Sequence, residues 1–562
     1  MKKMNFKSYK PFPVIELPNR KWPDKQITKA PLWCSVDLRD GNQALDIPMN
    51  LDQKKRLFRL LCDIGFKEIE IGFPSASQVD FDFARVLIEE NMIPPDVTIQ
   101  VLTQARDHLI RRTFEALEGA DKAIVHMYNS TSTLQRDVVF NMNREEIIKI
   151  AVDGATLVKT ISDEINNPGI RFEYTPESFT GTEMDYALEV CHEVMNIFKP
   201  TPENKLILNL PATIEMSTPN IHADQIEWFS TNIRDRDSVI ISLHAHNDRG
   251  TAVAASELGV MAGADRVEGT LFGNGERTGN LDIITMALNI FSQGVDPELD
   301  FSSINYIKDE YISCTRMPVH PRHPYAGDLV YTAFSGSHQD AINKGFKKRE
   351  ERKSKIWEVP YLPINPKDVG RNYQSIIRIN SQSGKGGVAY LLDTEFGYKL
   401  PKPMQVEFSK VIQNLTEESG SEISSRAIWE KFKNEYLELR APYILKHIKI
   451  SMDTDSSANS SEEITYVTGL LNYKGKDIEF KNEGNGPIDA FIRGLNSTLT
   501  DPIKLKSYDE HNIDGGSDSV AVSYISLRQG KGIVKYGVGT DSNISMASIK
   551  AIVSALNRLN LS

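Results

Sequence analysis

The chain has 562 residues, 25% of them charged and 40% hydrophobic, with a formal net charge of -11. That length exceeds one ordinary core and calls for two or three domains, and the acidic balance argues against nucleic acid or an anionic membrane as the main partner. No apolar run approaches the roughly 18 residues a membrane helix needs. Four scattered cysteines, Cys34, Cys62, Cys191 and Cys314, form neither a disulfide framework nor a Cys-x-x-Cys knuckle. Residues 1–13 carry lysines but no apolar signal core, so the expected location is cytoplasmic.

After an arm at 1–30, β-branched runs at 32–38, 68–73, 97–103, 122–130, 171–177, 205–213, 238–246 and 266–273 alternate with helical patterns. The latter fall at 52–64, 78–91, 107–118, 143–164, 183–198, 220–233, 252–262 and 280–291. Strict βα alternation implies parallel strands, and this length and count predict a (β/α)8 TIM barrel over 31–305. An open doubly wound sheet is the alternative, disfavoured because no glycine-rich dinucleotide fingerprint follows the first strand. In a barrel the active site lies where strands end. Polar residues fall there: Arg39 and Asp40, His126 and Tyr128, Glu177, Asn209 and Thr213, His244 and His246, and the loop Gly273 to Asn280.

His244 and His246 close the apolar run 239–243, and residues i and i+2 of a strand share a face. Two neighbouring imidazoles form half of a divalent-metal site, for which Asp40 is the best oxygen donor. Such ligation suits Mg2+, Mn2+ or Zn2+. The competing readings are a surface or core histidine pair, a satisfied core histidine at 126, and a rim salt bridge at Arg39.

Residues 306–438 read as a linker with small subdomains, broken by prolines from Pro318 to Pro403 and carrying a solvated charged helix at 347–353. Two segments are unusually polar for a spacer, Gly336-Ser337-His338-Gln339-Asp340 and Ser381 to Gly387. Past the low-complexity loop Ser456 to Ser461, the tail (439–562) repeats itself as two ββα units. These carry Gly484-Asn485-Gly486 and Gly537-Val538-Gly539, each placed at a strand-to-helix junction. Glycines there let backbone approach a ligand and leave helix N–H groups for an anion or carboxylate, so a small α+β binding module is expected; simple chain turns are the alternative.

Three segments, Asp37-Leu38-Arg39-Asp40-Gly41-Asn42-Gln43, His244-Ala245-His246-Asn247-Asp248-Arg249-Gly250 and Gly273-Asn274-Gly275-Glu276-Arg277-Thr278-Gly279-Asn280, carry a resemblance. The chain resembles the 2-isopropylmalate synthase family, and more broadly the acyl-CoA condensing barrels that include homocitrate and citramalate synthases. The likeness extends through Gly336 to Gly345 and the duplicated tail. Arg322-His323-Pro324-Tyr325 and Trp357 to Pro363 match the long form.

The resemblance implies a Claisen-type condensation of acetyl-CoA with 2-oxoisovalerate, thioester hydrolysis to 2-isopropylmalate and coenzyme A, leucine feedback through the tail, and a homodimer. It further implies that Asp40, His244 and His246, with Asn280 close by, bind the metal, and that Arg39 faces the developing alkoxide. His338 and Tyr361, from the partner subunit, abstract or help abstract the methyl proton, with Glu177 near the reacting atoms. Thr213 matches the position holding the oxo acid's carboxylate, and Leu102, His126, Tyr128, Thr175 and Asn209 match its pocket. Gly484, Gly486, Gly537 and Gly539 are the expected leucine-site glycines. The rivals are a sibling enzyme acting on pyruvate or 2-oxoglutarate, an acyl-cleaving barrel with the same metal site, and a leucine-binding module on an inactive barrel.

Overall fold

The computed structural model describes residues 5–332, 336–373, 385–419, 425–453, 464–513, 519–530 and 532–560. The polar segments 381–384 and 456–461 lie outside the described residues. The chain divides into two compact units, Met1–Tyr331 with Ile364–Asn372, and Thr332–Pro363 with Tyr373–Ser562.

The first unit is built on a closed barrel of eight parallel strands in sequential order. They are β1 (Leu32–Ser35), β2 (Glu68–Gly72), β3 (Thr98–Gln104), β4 (Ala123–Ser130), β5 (Ile170–Glu177), β6 (Leu206–Ala212), β7 (Val239–Ala245) and β8 (Arg266–Gly269). β1 closes the ring by pairing with β8, Cys34 opposite Glu268. The outer helices are α1 (Leu51–Ile64), α2 (Gln78–Glu89), α3 (Asp107–Ala116), α4 (Arg144–Ile165), α5 (Met184–Phe198), α6 (Pro219–Asn232), α7 (Ala252–Met261) and α8 (Ile283–Ser292). Local chemistry sets their ends. Asn50 with Gln53, and Asn143 with Glu146, form reciprocal capping boxes, and α1 stops at Gly65, whose φ of 114° suits only glycine.

Two strands end earlier than their apolar patterns suggest. β1 stops at Ser35, and 37–41 winds into a wide helical turn that carries Arg39 and Asp40; β8 stops at Gly269. The barrel interior also differs from the usual branched-aliphatic filling. Ile124, Ile207 and Ile240 form one apolar cluster, while fully buried Arg266 reaches Glu68 Oε2 (2.6 Å), Glu268 Oε1 (2.7 Å), Gln100 Oε1 (2.7 Å) and Ser242 Oγ (2.8 Å). Removing one member would leave a buried charge uncompensated, at a cost of about 3–5 kcal/mol.

The second unit holds α10 (Gly336–Arg352), after α9 (Ile304–Thr315) of the first, then α11 (Lys385–Phe396), α12 (Lys402–Ser419) and α13 (Ser425–Phe432). In the tail the two ββα units are present, and each is preceded by a further strand. β9 (Tyr443–Asp453), β10 (Ile464–Tyr473) and β11 (Lys476–Gly484) lead to α14 (Pro487–Asn496); β12 (Ile503–Asn512), β13 (Ala521–Gln529) and β14 (Val534–Asp541) lead to α15 (Ile544–Asn560). Both sheets are antiparallel and three-stranded. Phe491, Ile492 and Leu495 of α14 share a core with Ile549, Ile552 and Leu556 of α15.

The second Gly-x-Gly does not sit at a junction. Gly537 and Gly539 lie inside β14, where a Cβ would fall 2.2 Å from the Ala551 carbonyl and 2.1 Å from the Ala547 carbonyl of α15. Gly484 is similar, with Ala490 N at 2.5 Å, whereas nothing lies within 4 Å of a Cβ on Gly486. Three of the four glycines therefore have a packing role, close approach of helix to strand.

Candidate active site

A cavity of about 730 Å³ opens where the barrel strands end. Arg39, Asp40, Leu102, His126, Tyr128, Thr175, Glu177, Asn209, Thr213, His244 and His246 all line it. Residues separated by more than 200 positions meet there because each parallel strand delivers its last residues to the same end.

Asp40, His244 and His246 come together, their ligand atoms all within 4.8 Å of one another. His244 Nε2 lies 3.6 Å from Asp40 Oδ2 and His246 Nε2 4.0 Å from it. The imidazole centroids are 5.3 Å apart, as same-face positions two residues apart require. Asn280 Nδ2 donates to Asp40 Oδ1 at 2.9 Å. Asn280 Oδ1 is buried without a hydrogen-bond partner, and an unmatched polar atom at this depth points to a missing ligand. Imidazole plus oxygen donors fit a divalent cation.

Electrostatics prepare the centre. Burial alone would raise the Asp40 carboxyl, but Arg39, whose Nη1 donates to Asp40 Oδ2 at 2.8 Å, and His244 hold it well below the carboxylate range. Burial, reinforced by the neighbouring His244, lowers His246 to about 4, so it stands neutral and ready to ligate at neutral pH. His244 Nδ1 faces Glu268 Oε2 at 2.7 Å, the strand neighbour directly across β7 and β8. Burial opposes protonation of His244, yet the Asp40 and Glu268 hydrogen bonds raise it to about 9. A carboxylate behind a ligating imidazole fixes its tautomer and raises its basicity.

The rest of the mouth is wired similarly. Arg39 Nε donates to Glu70. His126 places Nδ1 2.6 Å from Glu70 Oε2 and Nε2 2.6 Å from Thr175 Oγ1, which also accepts from Asn209 Nδ2 at 3.1 Å. Tyr128 accepts from Gln104 Nε2 at 2.8 Å, and burial raises its phenol. Ser130 donates to Glu177, and Thr213 Oγ1 accepts from the Ser178 amide at 3.0 Å.

His338 and Tyr361 belong to the second unit. They stack on each other, centroids 4.1 Å apart and planes 27° apart, and Tyr361 is 61% exposed.

Sequence reading missed Glu70, Gln100, Arg266 and Glu268. A signal existed: Glu68 and Glu70, and Arg266 and Glu268, alternate with apolar residues inside strands buried on both faces, so they must point into the barrel.

Residues 30–310 match the family model described as HMGL-like, 328–393 the one described as Alpha-isopropylmalate synthase, post-catalytic domain-like, and 422–560 the LeuA allosteric (dimerisation) domain. A protein of Clostridium acetobutylicum named 2-isopropylmalate synthase is 58% identical over 562 residues, covering 99% of this chain and 100% of its own. The chain belongs to the 2-isopropylmalate synthase family. A Rhodospirillum rubrum relative with the same name is 56% identical over 556 residues, and a Corynebacterium efficiens one 54% over 574; coverage is 99% of this chain for both, and 99% and 98% of theirs. The aligned lengths span barrel, linker and tail, so the family is shared over the full chain rather than over a barrel alone. Among the described residues no helix is long and apolar enough to cross a membrane.

Proposed function

We propose that the chain condenses acetyl-CoA with 2-oxoisovalerate and water to give 2-isopropylmalate and free coenzyme A, the committing step toward leucine, and that leucine bound by the tail lowers the rate. The observation that carries this is the Asp40, His244 and His246 cluster at the mouth of a cavity lined by the pocket residues the family pattern requires.

Asp40, His244 and His246 would hold a divalent cation, Mg2+, Mn2+ or Zn2+, with Asn280 as a further oxygen donor. Bound there, it supplies a Lewis acid for the oxo acid's keto and carboxylate oxygens. Arg39, pinned between Asp40 and Glu70, presents fixed positive charge where the keto oxygen becomes an alkoxide. Thr213 receives the oxo acid's carboxylate, and Leu102 offers an apolar wall for its isopropyl group.

His338 and Tyr361, a preformed pair, serve deprotonation of the acetyl methyl group, contributed by a second copy of the chain. The resulting carbon nucleophile forms a bond to the keto carbon, the C=O π pair moves onto oxygen, and that alkoxide takes up a proton to become the product hydroxyl. Water then replaces the thiol at the thioester carbonyl, with Glu177 beside the reacting atoms.

A thiol-release assay over 2-oxoisovalerate, pyruvate and 2-oxoglutarate tests the reading: the branched acid is expected to turn over fastest. Faster release with pyruvate would reassign the chain to citramalate formation, and with 2-oxoglutarate to homocitrate formation. Leucine is expected to slow the full chain and to leave a chain cut near residue 440 unaffected.

A further inference from the structure

The segment Arg322-His323-Pro324-Tyr325 takes no part in the chemistry above, yet it packs against the loop that carries Asn280. Phe272, just after β8, has φ 59° and ψ 13°, a left-handed conformation that a bulky residue holds only when its surroundings impose it. Its ring lies 4.8 Å from Tyr311 and 5.3 Å from His323, the latter edge-on at 70°. His323 Nε2 is 2.7 Å from Asp282 Oδ2, and its Nδ1 is 2.8 Å from the Pro324 carbonyl. Asp282 in turn caps α8 by accepting from Thr285 N at 3.2 Å. One imidazole therefore grips both ends of the 272–282 loop.

Between those ends the loop closes on itself and on the metal-binding turn. Asn280 N donates to Gly273 O at 3.0 Å, Asn274 Nδ2 to Gly41 O at 2.8 Å, and Asn280 Nδ2 to Asp40 Oδ1 at 2.9 Å. There is no slack, since a Cβ on Gly275 would stand 2.1 Å from Asn280 Nδ2.

We infer that His323 is a positioning residue for the candidate metal centre: by bracing Phe272 and Asp282 with one ring, it keeps the 272–282 loop closed so that Asn280 stays seated on Asp40. The inference rests on the metal reading of Asp40, His244 and His246. Its test is Mn2+ titration of the metal-free full-length protein, with free ion read by electron paramagnetic resonance. His323→Gln removes the ring and His323→Phe removes the Asp282 contact; each is expected to weaken Mn2+ binding about tenfold. Phe272→Gly relieves the left-handed strain but is also expected to weaken binding, because the braced ring is gone. Tyr325→Phe deletes a 2.8 Å bond to Asn289 on the same α8 and is expected to leave the affinity unchanged.

Unaltered affinity in the His323 variants, or equal weakening by Tyr325→Phe, overturns the brace. Hydrogen exchange separates positioning from general damage: faster exchange confined to 272–282 supports the brace, and faster exchange across the whole barrel overturns it. A wild-type chain that binds no Mn2+ overturns the metal reading and the brace together, whereas wild-type binding with unaltered variants overturns the brace alone.

Discussion

The barrel mouth and the tail each present a two-residue motif with one residue between, and they use it in opposite ways. In the barrel, His244 and His246 leave Nε2 atoms near Asp40, with Asn280 Oδ1 unmatched in a buried site. In the tail, Gly537 and Gly539 are filled against, with the backbone of α15 occupying the space their side chains would need. A short motif points to a ligand when its atoms remain unpaired after folding, and to packing when a neighbouring element consumes the space.

The largest expected effect breaks the barrel side of that contrast. Asp40→Ala combined with His246→Ala should lower thiol release by about 10³-fold or more, since several kcal/mol of transition-state stabilisation are lost. Circular dichroism should stay native, and full activity in this variant would refute the metal reading. Glu268→Gln keeps the shape but weakens the acceptor behind His244; calorimetric metal affinity should drop about 10–100-fold.

On the tail side, Gly537→Ala forces a methyl group into the α15 backbone and should destabilise the tail by about 3 kcal/mol, read in urea unfolding. Gly486→Ala meets open space with extended backbone at φ 172° and should cost almost nothing. If Gly486→Ala nonetheless abolishes the leucine response, the glycine there serves the ligand rather than the chain, which would sharpen the comparison.

A further effect probes the barrel side by pH. Burial lowers His222, on α6 of the barrel unit, to about 4. The unfolded chain therefore binds an extra proton between about pH 6.5 and pH 4, and stability is lost as pH falls through that window. Going from pH 7 to pH 5 should cost the barrel about 2 kcal/mol. His222→Leu should flatten that slope in thermal melts, and an unchanged slope would show that other groups control acid sensitivity.

Much of the site was legible before any coordinates, for a definite reason. Arg39, Asp40, Glu177, Thr213, His244 and His246 stand at or just past strand ends, so alternation of strand and helix was enough to predict their convergence, whereas His126, expected at the close of the fourth strand, lies in the middle of β4. That Glu268 points into the barrel was legible from the alternation of its strand, but its place behind His244 was not, because that depends on a register pairing the two across neighbouring strands. The extra strand β12 was missed although Ile503-Lys504-Leu505-Lys506 alternates, because the alternation stops there and Ser507 to Asn512 is polar apart from Tyr508 and mostly exposed; β9 was missed with it.

Periodicity by itself determined the eight βα units and the end of the barrel that holds the polar cluster, since these follow from local preferences and from residue order along the chain; the family followed from the likeness of the segments at 37–43, 244–250 and 273–280 to known sequences. Tertiary structure alone decided which polar atoms end up paired. The Glu68, Arg266 and Glu268 network behind His244, the α15 backbone pressed onto Gly537, and the His323 ring against Phe272 all arise from contacts between segments far apart in sequence, whose distances no local pattern encodes.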